Sequence, residues 1–227
     1  MYDPANVVMP NRSDDEMPGK SLQYHKKFDR FIDAWPWHPT EMPEAHIREI
    51  IAHYYGMVSM VDYNVGRILS SLDELGLSDN TIVLYSTDHG EHLGDHWLIY
   101  KCLPYDECTH VPMIWRCPEQ FATGSRIDGL VSHIDIMPTI LELAGVAANN
   151  LEGQSLLRPE PGRIAFTRTV WDKPRYSARG ERYKLIWDSR TDRGELYDLE
   201  RDSGETRNIL EEEPFMSGLF EQRLFAW

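Results

Sequence analysis

One long helical stripe constrains this chain more than any other feature. Ile47, Ile50, Ile51, Tyr54, Met57, Val58, Val61, Val65, Ile68, Leu69, Leu72 and Leu75 recur at helical spacing. Thr40 is a plausible cap, Pro43 suits the first turn and Gly76 suits the stop. Asn64 falls on the side expected to be buried, so it needs a partner. After Gly76 comes a short apolar run, Thr81-Ile82-Val83-Leu84-Tyr85, that reads as a strand. Helix, loop and strand together form one α/β unit, and such a helix needs a sheet to cover it.

The strand runs into Ser86-Thr87-Asp88-His89-Gly90-Glu91-His92-Leu93-Gly94-Asp95-His96, with Lys101 shortly after. Asp88 and His89 are potential metal ligands placed at the carboxyl end of a strand, where open α/β sheets bind their ligands. A carboxylate, an imidazole and an ammonium suit a metal-assisted reaction on an anionic ester. His92 and His96 read equally as pocket residues on the substrate side or as ordinary polar loop residues. Their spacing imitates a helical zinc pair, but Gly94 argues against a helix there. His110 and His133 read as core or cap histidines.

Further on, Val111–Trp115 is expected as a short buried strand. Asp135 to Ala144 is expected as a helix with Asp135 as N-cap and Gly145 as stop. Residues 146–162 look like a linker. Arg163–Val170, Tyr183–Trp187 and Glu195–Leu199 read as strands of a small antiparallel sheet, and Arg190–Gly194 as a polar turn. The tail from Pro214 to Trp227 reads as weakly helical, with Leu219, Phe220, Leu224 and Phe225 available to pack on that sheet. Near the start, Trp35-Pro36-Trp37-His38-Pro39 cannot be regular helix and reads as a surface arm. The expected division is residues 1–150 as an α/β part and 151–227 as an antiparallel sheet plus helix.

Composition narrows the function. The chain has 227 residues and a formal net charge of −14, which argues against general nucleic-acid binding. Cys102, Cys108 and Cys117 allow at most one internal bridge, so a reducing compartment is the simpler reading. No stretch is long and apolar enough to span a bilayer, and no signal-peptide pattern precedes the fold.

Several motifs in order carry a resemblance to one family. These are the Asp88-His89 stretch with Lys101, then Tyr105-Asp106-Glu107 through His110-Val111-Pro112-Met113-Ile114-Trp115, and Leu130 to Gly145. Glu152-Gly153-Gln154-Ser155-Leu156-Leu157 follows, then Tyr183-Lys184-Leu185-Ile186, Glu195-Leu196-Tyr197-Asp198-Leu199, Asp202, Glu205 and Asn208. Together they resemble the later part of the type I sulfatases, members of the alkaline phosphatase superfamily. The resemblance implies part of an α/β/α sandwich with a mostly parallel sheet and a small antiparallel C-terminal subdomain. It implies that Asp88 and His89 ligate a divalent cation, commonly calcium, with manganese also suited, and that Lys101 contacts a sulfate oxygen of a small sulfated ester. Two ligands are too few for calcium, so tight binding by this chain alone is not expected.

The family's nucleophile motif, Cys-x-Pro-x-Arg or Ser-x-Pro-x-Arg, has no counterpart. Cys102-Leu103-Pro104-Tyr105-Asp106 imitates its first half but carries Asp106 where arginine is needed, and Cys117-Pro118 has the wrong spacing. Asp14-Asp15 lies in a polar run with no apolar strand before it, so it does not read as the family's early metal pair. The expectation is therefore a C-terminal portion of a sulfatase, inactive on its own, with uncovered apolar surface and dependence on a missing segment or chain. The alternatives are a phosphonate or phosphate ester hydrolase of the same superfamily, or a non-catalytic binding remnant.

Overall fold

The computed structural model describes residues 1–13, 42–101, 103–118, 120–147, 149–169 and 174–227. The readings of Asp14-Asp15, of the segment from Trp35 to Pro39, of Thr40 and of Cys102 lie outside these residues.

Helix α1 spans Glu44–Glu74. Pro43 lies just before its first turn rather than inside it, with φ −57° and ψ 138°. Glu44 and Arg48 pair one turn apart at 2.7 Å. The helix stops at Gly76, whose φ of +67° suits glycine. The Gly76 N–H bonds to Asp73 O and the Leu77 N–H to Leu72 O, which satisfies the last carbonyls in a Schellman arrangement. Only the start of the expected apolar stripe is covered. Ile47, Ile51 and Ala52 are buried with Val7 and Met42, against Met9, Leu93 and Ile99. Met57, Val58, Val61 and Ile68 are exposed, Ile68 by 64%. Asn64 is exposed too, and its amide donates to Met60 O at 2.8 Å.

Strand β1, Val83–Ser86, pairs antiparallel with β2, Met113–Arg116, with Ser86 opposite Met113. The expected parallel sheet is thus not seen among the described residues. Strand β2 is not buried as expected, because one of its faces has no cover and Ile114 is 60% exposed. The pairing brings both ends of residues 87–112 together, and that excursion holds the candidate site. It includes one short helix, α2, Asp106–Thr109.

Helix α3, Ile136–Leu143, follows a tight turn at His133–Asp135. Asp135 stands at its N-cap position, as expected, but its side chain makes no capping bond to α3. It lies three residues inside the turn, with helical φ/ψ, and its carboxylate reaches back to accept the Ser132 N–H at 2.7 Å. Residues 152–157 pack back on α3. Leu156 N–H donates to Thr139 Oγ1 at 2.9 Å and Gln154 N–H to Asp135 Oδ1 at 3.0 Å.

The C-terminal sheet has four antiparallel strands in sequence order: β3 Ala165–Arg168, β4 Arg175–Arg179, β5 Tyr183–Asp188 and β6 Arg193–Asp198. Helix α4, Pro214–Ala226, covers one face, where Phe220 and Leu224 join Ala178, Leu185 and Leu196. Phe225 is 63% exposed, yet its ring meets Trp187 of β5 edge to face at 5.3 Å. Strand alternation sends the neighbouring residues to the other face. There Ile186 and Tyr197 pack with Leu98, Leu103 and Tyr105 of the site loop. Strand β4 was not expected from the sequence. Its Arg175 and Ser177 are buried because it is an interior strand, and Arg175 finds Asp188 at 3.3 Å.

Candidate metal and sulfate site

Asp88 and His89 emerge where β1 ends, and both side chains reach solvent. His89 Nε2 lies 3.5 Å from Asp88 Oδ2. His89 Nδ1 lies 2.8 Å from Gly90 O and donates to it, which turns Nε2 toward Asp88. Asp88 Oδ1 accepts the His89 backbone N–H at 3.0 Å. The Asp88 carboxyl is held below its ordinary 3.8: loss of hydration opposes this, but the His89 imidazole and the local N–H donors outweigh it. Two exposed ligand atoms, one oxygen and one nitrogen, thus stand side by side and fit part of a divalent-cation site.

Gly90 fixes this pair to the next turn. Its N–H donates to Cys108 O at 3.0 Å. A Cβ there would lie 1.9 Å from the carbonyl oxygen of Glu107 and 3.0 Å from its carbon, both backbone atoms that cannot rotate away. Gly90→Ala is expected to cost about 2–3 kcal/mol in urea unfolding, because backbone must shift to admit the methyl. Gly56, inside α1 with nothing within 4 Å of its added methyl, is the control. Gly56→Ala should gain up to about 1 kcal/mol from helix propensity. Equal effects at the two sites would show that the contact at Gly90 yields freely.

Residues 91–100 form a tight loop. His92 N–H bonds to Tyr100 O at 3.0 Å and Gly94 N–H to Leu98 O at 2.7 Å. The Glu91 carboxylate accepts N–H bonds from Leu93 and Tyr100. Burial pushes the Glu91 carboxyl above its ordinary range; these donors and the charges of His89 and Lys101 oppose that. Leu93, His96, Trp97 and Tyr100 all take positive φ, between 49° and 70°. Such backbone persists only where surroundings hold it. The N-terminal residues supply part of that hold: His96 N–H bonds to Asn11 O and Trp97 Nε1 to Ser13 O, both at 3.1 Å.

The five sequence-predicted residues separate into two groups. Asp88, His89 and Lys101 are at the surface. His92 and His96 are buried in the interior, with 1% and 0% of their surface exposed. The His96 ring stacks on Tyr105 at 4.2 Å, and its Nε2 lies 3.4 Å from Glu107 Oε2. Two histidines read as core or cap residues are both exposed: His110 takes the C-cap position of α2, and His133 opens the turn before α3. His133 Nε2 lies 3.4 Å from Ser86 Oγ at the end of β1.

Sequence reasoning missed the polar groups beneath the loop. Lys184 on β5 has no exposed side-chain surface and pairs with Asp106 at 2.7 Å and Glu205 at 2.9 Å. The Tyr105 and Tyr197 hydroxyls donate to one oxygen of Glu195, at 2.6 and 2.7 Å. Burial, then the nearby Glu195 carboxylate, pushes both phenols well above 10.0. His96, Glu107 and Glu205 offer ligand atoms within 4.8 Å of one another, but the Lys184 ammonium already supplies a cation to Glu205. The signs of this layer in the sequence were a lysine inside an apolar strand run, Tyr183-Lys184-Leu185-Ile186, and the motif residues Tyr105, Asp106, Glu195 and Glu205, whose burial together no local pattern reveals.

Residues 9–146 match the Sulfatase family profile. The N-acetylglucosamine-6-O-sulfatase of Bacteroides thetaiotaomicron is 32% identical over 180 residues, covering 71% of this chain and 32% of that protein. Arylsulfatase K of Mus musculus is 32% identical over 200 residues, covering 80% and 36%. The chain thus spans about a third of the length of these relatives. Among solved structures, a phosphonate monoester hydrolase from Silicibacter pomeroyi superposes with a TM-score of 0.82 at 26% identity, covering 100% of this chain and 51% of that one. A protein solved with its substrate D-glucosamine-2-N,6-O-disulfate superposes with a TM-score of 0.75 at 26% identity, covering 89% and 45%. With more than half of its residues matched by the profile and its fold shared with these hydrolases, the chain belongs to the sulfatase family and carries part of an alkaline-phosphatase-like α/β fold.

Proposed function

We propose that this chain carries the metal-binding and sulfate-facing part of a sulfate-ester hydrolase. The observation that carries this reading is the side-by-side exposure of Asp88 Oδ2 and His89 Nε2 at the end of β1, 3.5 Å apart. These two residues would hold a divalent cation, calcium or manganese, together with ligands from elsewhere. Such an ion acts as a Lewis acid on the ester and orients it. Lys101, at the surface beyond the loop, places an ammonium where negative charge develops on the leaving oxygen. His92 and His96, being buried, hold the loop in shape rather than touch substrate. The sequence contains no Cys-x-Pro-x-Arg or Ser-x-Pro-x-Arg, so the group that attacks sulfur comes from outside these 227 residues.

Titration calorimetry with Ca²⁺ and Mn²⁺ tests the metal half. The chain alone should bind with a dissociation constant on the order of 10⁻⁴ M or weaker, because a calcium site wants about six to eight oxygens. Asp88→Asn should remove that binding. Submicromolar calcium affinity, or weak binding that Asp88→Asn leaves intact, would sink the assignment. Assays with aryl sulfate test the rest: no turnover by the chain alone, and turnover once a chain carrying the nucleophile segment is added, with Lys101→Ala about 100-fold slower. The high structural similarity to a phosphonate monoester hydrolase supports a second reading, hydrolysis of a phosphonate ester. Faster turnover of aryl phosphonate ester than of aryl sulfate in that mixture would favour it.

A further inference from the structure

Lys184 stands in the middle of β5, and a lysine is ordinarily turned to water. Here it is fully buried on the sheet face that meets the site loop, bonded to Asp106 Oδ1 at 2.7 Å and Glu205 Oε1 at 2.9 Å. Glu205, also without exposed surface, accepts the Asp106 backbone N–H at 2.6 Å. Next to them, Glu195 accepts the hydroxyl of Tyr105 at 2.6 Å. Three side chains of the C-terminal region therefore grip two consecutive residues, Tyr105 and Asp106.

Those two residues open the turn that holds the site. The Cys108 carbonyl receives the Gly90 N–H, and the Glu107 carbonyl fills the space where a Gly90 side chain would be. Gly90 directly follows His89, and Lys101 lies one short stretch before Tyr105. Stability alone does not account for such a network, because a buried ion pair gains little over apolar residues of equal volume. What it adds is direction: each bond fixes an atom, where an apolar contact fixes only a surface.

The geometry points to Lys184, Glu205 and Glu195 as positioning residues, through which the C-terminal sheet sets the spacing between Asp88–His89 and Lys101. This rests on the metal reading of Asp88 and His89. The role is one of holding, since none of the three has exposed surface beyond 6% from which to meet a substrate.

The test uses Mn²⁺ alone as probe, with bound metal followed by electron paramagnetic resonance and amide exchange read at Gly90. Lys184→Met/Glu205→Leu removes both charges together, while Asp106 keeps Arg179 at 3.5 Å. The expected result is a folded variant with roughly tenfold weaker Mn²⁺ binding. Its Gly90 amide should exchange roughly tenfold faster while the Leu185 and Leu196 amides keep their protection. A cooperatively melting variant with unchanged Mn²⁺ affinity and unchanged Gly90 exchange overturns the positioning role and leaves the metal reading standing. Should Asp88→Asn leave wild-type Mn²⁺ binding intact, both readings fall. Tyr105→Phe, which keeps the ring on His96 and deletes one bond to Glu195, answers the same question if the double variant does not fold. The same faster Gly90 exchange is expected, to a smaller extent, and its absence counts against the proposal.

Discussion

Lys184→Met alone lowers stability by about 3–5 kcal/mol at neutral pH, the usual cost of breaking a buried ion pair from one side. The methionine fills the space well; the loss is electrostatic. Lys184 and Glu205 have no exposed side-chain surface, and Asp106 lies close to both. Without the ammonium, the fully buried Glu205 carboxylate is left beside Asp106, which keeps Arg179 at 3.5 Å as a cation. The signs of their titrations give the experiment a second axis. Asp106 is pulled below its ordinary 3.8: burial opposes the shift, but Lys184 and Arg179 outweigh it. It therefore contributes stability above that value, lost as pH falls through the lowered one. Glu205 is pushed above its ordinary 4.5, chiefly by burial and despite Lys184. Its contribution is favourable in acid and is lost as pH rises through the raised value. With Lys184 gone, Glu205 moves further up and takes a proton more readily. The penalty of Lys184→Met should therefore be largest at neutral pH and shrink as pH falls through the carboxylate range. Urea unfolding of wild type and variant at several pH values measures this. A penalty below about 1 kcal/mol that does not change with pH would mean water reaches the network.

The contrast between this layer and the rest of the molecule shows what a sequence can carry. The end of α1 was legible because Gly76 is needed for one positive φ, and a local rule sufficed. Strand β1 was legible as an apolar run ending in Asp88-His89, and two of the three residues carrying the proposed chemistry stand next to one another in sequence, with Lys101 following after the loop. Strand β4 was not, because Arg-Tyr-Ser-Ala-Arg has little apolar signal and its burial comes from having a strand on either side. The inward turn of His92 and His96 was hidden for a similar reason. Five positive-φ residues, Gly94 among them, twist that loop, so alternation says nothing about which side chains face in. Most of the apolar stripe of α1 was legible as helix, yet its exposure was not, since periodicity reports a face and never what covers it.

Asp135 extends the same point to the α3 side, and it carries the other large effect. The sequence suggested a helix cap, whose removal costs about 1 kcal/mol. The structure gives it three bonds at zero exposure: the Ser132 N–H at 2.7 Å, the Gln154 N–H at 3.0 Å and the Arg163 guanidinium at 2.6 Å. Asp135→Ala strands two backbone donors and a largely buried arginine, so a loss of about 3–4 kcal/mol is expected. Arg163→Met in the same background should recover part of it, because the unpaired guanidinium goes with the carboxylate. Additive losses in that double-mutant cycle would show that Arg163 is already hydrated and that Asp135 acts through the two N–H groups alone. The local consequence separates the readings further. A cap acts on its helix, whereas Asp135 also holds Gln154, and Gly153 sits against the Ile134 carbonyl with no space for a side chain. Loss of Asp135 should therefore release residues 150–162 to limited proteolysis before α3 itself unfolds; cleavage confined to α3 would restore the cap interpretation.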